Sequence, residues 1–141
     1  MQITGKKLLE LIPQAEPFVM IDTLLHSDNQ STKTRFTITG NNVLCRNGIF
    51  TEAGLIENMA QTAAAGAGYS ARQNKTEVKT GFIGAIKNLE ISKLPEISQT
   101  IETEIIQTYQ LENVSIISAK VELNKQIIAK CEMKIFLIEK P

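Results

Sequence analysis

The sequence predicts an α+β domain in which one curved antiparallel sheet of about six strands wraps around a single central helix. Three observations predict it. Glu52 to Gln73 is the longest helical candidate, and its middle, Ala60-Gln61-Thr62-Ala63-Ala64-Ala65-Gly66-Ala67-Gly68, is made almost wholly of small residues. Nothing charged lies between Glu57 and Arg72, so this helix lacks the polar stripe of a surface helix and belongs in a close-packed interior. Two strand-like segments precede it and four follow, the latter joined by connections short enough for antiparallel neighbours.

Taken in order, Thr4 is placed to cap a short helix whose apolar residues, Leu8, Leu9, Leu11 and Ile12, crowd one side until Pro13 ends it, giving a lid or brace. Phe18 to Leu25 reads as a buried strand closed by the turn formers Ser27 to Ser31. Thr32 to Thr39 alternates, with Thr32, Thr34, Phe36 and Ile38 on one side, as a half-exposed strand does. Val43 to Thr51 reads as an irregular loop around Asn47-Gly48. After the helix, Gly81 to Ile91, Ile97 to Ile106, Val114 to Leu123 and Ile127 to Ile138 are rich in Val, Ile and Thr, with Asn124-Lys125 as a two-residue hairpin turn.

The 141 residues, with no repeat, linker or low-complexity tract, form one domain, 1–141. With 43% hydrophobic and only 5% aromatic residues, the core is aliphatic. Lys+Arg and Asp+Glu balance at 15 each, which removes the bulk electrostatic argument for nucleic acid or an anionic membrane. Two cysteines without CxxC spacing and a single histidine argue against a zinc site. No leader-like segment and no apolar run near the length of a membrane span is present, and a cytoplasmic protein with reduced thiols is expected.

Leu11-Ile12-Pro13-Gln14-Ala15-Glu16-Pro17-Phe18-Val19-Met20-Ile21-Asp22 resembles, without a gap, the opening of the 3-hydroxyacyl-acyl-carrier-protein dehydratases, typically Leu-Leu-Pro-His-x-x-Pro-Phe-Leu-Leu-Val-Asp. Gly54-Leu55-Ile56-Glu57-Asn58-Met59-Ala60-Gln61 is similar to the central-helix motif, commonly Leu-Ile-Ile-Glu-Ala-Met-Ala-Gln. A weaker similarity runs from Gly81-Phe82-Ile83-Gly84-Ala85-Ile86-Lys87 through Pro95 to Glu104. The resemblance covers most of the chain, and in particular it looks like the divergent dehydratase-like proteins encoded with aryl-polyene-type pigment synthesis. It implies the hot-dog fold, a dimer or dimer-based oligomer, and a substrate delivered as a phosphopantetheine thioester on acyl carrier protein or coenzyme A, with no separate cofactor.

Dehydrating a 3-hydroxyacyl thioester needs a base at the alpha carbon, an acid at the hydroxyl and donors to the thioester carbonyl. Glu57 matches the family's helix carboxylate, alone in an apolar helix where a carboxyl can hold and hand over a proton, and Gln61 follows one turn later on the same face to orient it. By analogy with the family, Asn42, Val43, Phe50, Phe82 and Gly84 are expected against the substrate. The loop histidine of active members falls on Val43, and a shift of register offers only Asn42 or Asn41. Gln14 takes the place of another common family histidine, while His26, the only one here, reads as a solvated strand-end residue. Cys45, beside Arg46, reads as an ordinary half-buried thiol more readily than as an activated one.

Three functions follow. The first is a dehydratase-like protein with an altered base, or one member of a mixed dimer whose partner supplies the histidine. The second is a hot-dog thioesterase using the helix carboxylate without histidine. The third is a non-catalytic subunit that binds acyl groups or their carrier.

Overall fold

The computed structural model describes residues 1–138; the last three residues of the expected domain lie outside that range. The chain runs β1 (Ile3–Thr4), α1 (Gly5–Leu9), β2 (Thr23–Ser27), β3 (Ser31–Thr37), β4 (Cys45–Arg46), β5 (Ile49–Phe50), α2 (Glu52–Asn74), β6 (Thr80–Ile91), β7 (Thr100–Leu111), β8 (Val114–Leu123) and β9 (Gln126–Ile138). The main sheet is antiparallel throughout, in the order β1-β2-β3-β7-β8-β9-β6. It has seven strands rather than six, because Ile3 and Thr4 pair with Leu24 and Thr23.

The period-two reading of β3 fixes its orientation: Thr32, Thr34 and Phe36 are buried, and Ile38, just beyond it, is buried too. Asn124 and Lys125 both have positive φ, as a two-residue hairpin turn between twisted strands requires. One large core gathers Met20, Phe36, Phe50, Leu55, Met59, Ile101 and the inward residues of β8 and β9. A second cluster joins Leu8, Leu11 and Ile12 to Val19, Ile21, Leu24 and Ala65.

Several expectations change. Only Thr23 onward in the Phe18 to Leu25 run is strand. Val19, Met20 and Ile21 are buried, but the N–H and C=O of Met20 are taken by side chains of α2, which leaves nothing for a strand ladder. The segment from Val43 to Thr51 is not irregular: Cys45 pairs with Phe50 and Arg46 with Ile49 across Asn47-Gly48, both at positive φ. The strand expected from Ile97 starts at Thr100, since Ser98 has a φ of 77° and its N–H turns back to Ile38 O. Leu9, expected on the apolar side of α1, is 39% exposed.

The small residues of α2 allow close approach, as the sequence implies. A Cβ on Gly66 would collide with the Thr32 hydroxyl of β3, one on Gly68 with the Leu11 carbonyl oxygen, and one on Gly54 with the Phe50 ring. The helix is nevertheless not enclosed within this chain. Gly54, Leu55, Asn58, Met59, Gln61, Thr62, Ala65 and Gly66 are buried, whereas Ala60, Ala63 and Ala64 are half-buried and Ala53 and Ala67 exposed. The sheet therefore covers one face of the helix, and the uncharged opposite face is open.

Candidate functional site

The start of α2 is tied to the segment before it. Thr51 is the N-cap: its side chain accepts from Gly54 N at 3.4 Å and its hydroxyl donates to Leu44 O at 2.6 Å, while its N–H also goes to Leu44 O. This holds residues 42–44 against the first turn of the helix. One and a half turns on, Glu57 stands half-buried on the boundary between the sheet-covered and the open face of α2.

Gln61 is fully buried and uses all its polar groups that count for orientation. Its Oε1 accepts from Met20 N at 2.7 Å, and its Nε2 donates to Phe18 O at 2.8 Å and to Glu57 Oε1 at 2.9 Å. Turning the amide over would set an N–H against the Met20 N–H, so the backbone of residues 18–20 decides which atom faces Glu57. Gln61 thus orients one carboxylate oxygen of Glu57 and leaves the other for a second partner.

The neighbouring helix position completes the hold on this segment. Asn58 Nδ2 donates to Met20 O at 2.7 Å, and Thr103 of β7 donates its hydroxyl to Asn58 Oδ1 at 2.6 Å. Thr62 spends its hydroxyl hydrogen on Asn58 O at 2.8 Å, so Thr34 must be the donor in the 2.8 Å contact between Thr34 and Thr62. Sequence reasoning passed over Asn58 and Thr103. The available signals were a polar residue at position 58, where the family motif commonly has alanine, and a threonine on the inward side of the Ile101 and Ile105 alternation.

The remaining expected residues divide. Asn42 joins the same junction, donating from Nδ2 to Met20 Sδ at 3.2 Å while its Oδ1 accepts Leu44 N at 2.8 Å. Val43, beside it, is 45% exposed. Phe50 is fully buried under the start of α2, with its ring 5.8 Å from that of Phe36. Phe82 and Gly84 gather around Phe136: the two rings stack at 5.7 Å, and a Cβ on Gly84 would collide with the Phe136 ring. Phe82 pairs with Phe136, which shares its side of β9 with Lys134; Cys131, in contact with Met59 of α2, points the other way. Phe82 therefore lies on the sheet face away from α2, and Ile83, Ile86 and Ile91 are β6 side chains packed against the core.

The alternatives to a loop base are also located. His26 lies at the end of β2, with Nε2 2.8 Å from Asp28 Oδ2. The N–H groups of Gln30 and Ser31, and then His26, hold the Asp28 carboxyl down to about 2. Burial raises the Cys45 thiol above its ordinary range, so this cysteine remains a thiol. Burial also pushes Cys131 up to about 11. Among the described residues no group of three His, Cys, Asp or Glu side chains is arranged to hold a metal ion, and no helix is long and apolar enough to cross a membrane.

A long antiparallel sheet packed on one small-residue helix, with a carboxylate and a glutamine one turn apart beside the segment that follows Pro17, is a hot-dog architecture. The chain belongs to the ApeP-like family, the ApeP dehydratases, whose model matches residues 6–141. The dehydratase heterocomplex ApeI:P from Xenorhabdus doucetiae is similar in fold, with a TM-score of 0.87, 13% identity and coverage of 94% of this chain and 91% of that one. So is a hypothetical thioesterase with coenzyme A from Streptococcus pneumoniae, with a TM-score of 0.65, 8% identity and coverage of 83% and 85%. The PaaI protein of the Escherichia coli phenylacetic acid degradation operon has a TM-score of 0.65 at 10% identity, with 80% of each chain covered. Comparison with curated proteins gives no match.

Proposed function

We propose that this chain is the carboxylate-bearing subunit of a 3-hydroxyacyl thioester dehydratase, and that the base comes from a histidine-bearing subunit of the same fold. In this reading the partner's base takes the alpha proton, the carbon–oxygen bond at C3 breaks, and Glu57 protonates the departing hydroxyl, leaving water and an enoyl thioester. Gln61 presents Glu57, and Val43, exposed in the loop, lies against the acyl chain. The substrate is carried on phosphopantetheine, on acyl carrier protein or coenzyme A.

The observation that carries the reading is the state of the loop. At Asn42 both ends of the side chain are occupied, by Leu44 N and by Met20 Sδ, and an amide accepts no proton at neutral pH. The acid half of the site is thus held in place by Gln61 while the base half has no occupant in residues 41–44. The sheet supports a paired assembly. One edge is the two-residue β1, but the other is the twelve-residue β6, with Phe82 and Leu89 exposed along it. Long bare edges invite another strand. The similar structure from Xenorhabdus doucetiae is itself a dehydratase heterocomplex.

The test is turnover of a 3-hydroxyacyl-carrier thioester, followed by enoyl absorbance, with the purified chain alone and in equimolar mixture with a histidine-bearing dehydratase homologue. The mixture is expected to turn over and the chain alone to be silent, with Glu57→Gln abolishing the mixture's activity. Normal turnover by the chain alone, unaffected by Glu57→Gln, would falsify the assignment. A thiol dye in the same reaction separates the thioesterase reading, because release of the carrier thiol accompanies hydrolysis and not dehydration.

A further inference from the structure

We propose that Asn58 and Thr103 are positioning residues that hold the backbone of Met20, the residue to which both Gln61, the partner of Glu57, and the Asn42 side chain are bonded. The proposal rests on the reading of Glu57 given above, and extends the site from α2 into β7.

Met20 is held at three atoms from three directions. Its N–H goes to Gln61, its C=O receives Asn58, and its sulfur receives Asn42. It is fully buried, so water cannot replace any of these partners. Gln61 connects this residue directly to Glu57, and Asn42 connects it to the loop where the family's base would stand. A shift of the Met20 backbone therefore reaches both the Gln61–Glu57 pair and Asn42.

Asn58 is where that backbone meets the sheet. Its amide is 0% exposed, and burying an amide without partners is costly, so it must be bonded at both ends. Turned over, its oxygen would face the Met20 carbonyl; in the observed sense the oxygen is free for the Thr103 hydroxyl. Without that hydroxyl the amide loses its only sheet-side anchor among the described contacts, and the grip on Met20 O loosens with it. The Thr34 and Thr62 pair provides an internal comparison. It is a second buried hydroxyl bond between the sheet and the same helix, but it ends on the Asn58 main chain and does not touch Met20.

The experiment uses the full chain with Thr103→Val, Thr103→Ser and Thr34→Val, and reads three NMR signals: amide exchange of Met20, the side-chain amide of Asn42 and the carboxyl carbon of Glu57. Thr103→Val is expected to speed Met20 exchange about tenfold, the effect of losing one buried hydrogen bond, and to move the Asn42 and Glu57 resonances. Thr103→Ser should restore all three. Thr34→Val should lower stability similarly while leaving the Asn42 and Glu57 signals in place. The proposal fails if Thr103→Val and Thr34→Val speed Met20 exchange equally, or if Glu57 and Asn42 do not respond to Thr103→Val.

Should Thr103→Val not fold, Asn58→Ala is the second variant, with the same expected and refuting outcomes. None of these signals requires turnover. Altered Met20, Asn42 and Glu57 signals beside an inactive mixture would keep the positioning pair and reject the dehydration assignment, whereas an active, Glu57-dependent mixture with unmoved signals would do the reverse.

Discussion

Replacing Gln61 by leucine tests the site at its most connected side chain. Leucine has nearly the volume of glutamine, so the change leaves little cavity and isolates the polar contribution. Three groups lose a partner: Met20 N–H, Phe18 O and Glu57 Oε1. They do not lose equally. Phe18 is 56% exposed and Glu57 half-buried, so water can reach both, but Met20 is completely enclosed. An orphaned buried N–H costs about 1–3 kcal/mol, and the leucine side chain returns part of this through its own burial. The expected loss is about 1–2 kcal/mol. The chain has no tryptophan, so urea unfolding is best followed by far-ultraviolet circular dichroism. A lower midpoint at unchanged slope is the expected result. Glu57→Gln keeps an acceptor for Gln61 and should stay within about 0.5 kcal/mol of the parent. Equal midpoints for Gln61→Leu and the parent would mean that Gln61 does not hold Met20, and the orientation of Glu57 derived from it would fall.

Other consequences follow from the same contacts. Gly68→Ala places a methyl group on the Leu11 carbonyl and should lower stability by about 1–3 kcal/mol, while Gly40→Ala, with open space around it, should stay within about 0.5 kcal/mol; thermal melts of the pair check this. The Asp28 carboxyl is lowered to about 2, so its stabilising effect is fully present above about 3.8 and is lost as pH falls through about 2. Asp28→Ala should therefore flatten the acid end of a stability–pH profile and leave its neutral region with the same slope. With its thiol pushed up to about 11 and its side chain buried against Met59, Cys131 should resist iodoacetamide near pH 7.5 until the chain is unfolded, as intact-mass measurements would record.

The fold was legible where one residue's neighbours decide its setting. The Thr32 to Ile38 alternation, the uncharged Ala/Gly helix and the Asn124-Lys125 turn each carry local geometry in their spacing, and each is found in the structure. Legibility ended where a backbone segment is satisfied by side chains distant in sequence. Phe18 to Ile21 has the composition of a strand, but a turn takes the Phe18 N–H, and the amides of Asn58 and Gln61, about 40 positions on, take Phe18 O and both backbone groups of Met20. The same limit hid Thr103, whose hydroxyl acquires meaning only opposite Asn58. The pairing of Glu57 with Gln61 was legible because it spans one helical turn. The Phe82 position was not, because the register shift between Ile83 and Ala85 changes which β6 side chains face the helix.

What the chain lacks and what it leaves uncovered point the same way. A dehydratase needs its acid and base held within reach of one substrate; in the function proposed above Glu57 is the acid, held by the Gln61 amide, while Asn42 in the loop before the helix is bonded at both ends. The open face of α2 and the long β6 edge are likewise uncovered in one chain. If a second subunit covers that edge and brings the base, the active unit is the pair, and its concentration follows mass action rather than the amount of either chain. Titrating this chain into a fixed amount of histidine-bearing homologue should then raise turnover until the two are equimolar and leave it flat beyond. Continued linear increase past equivalence would mean that each copy of this chain works alone, and the search for its base would have to return to residues of this chain.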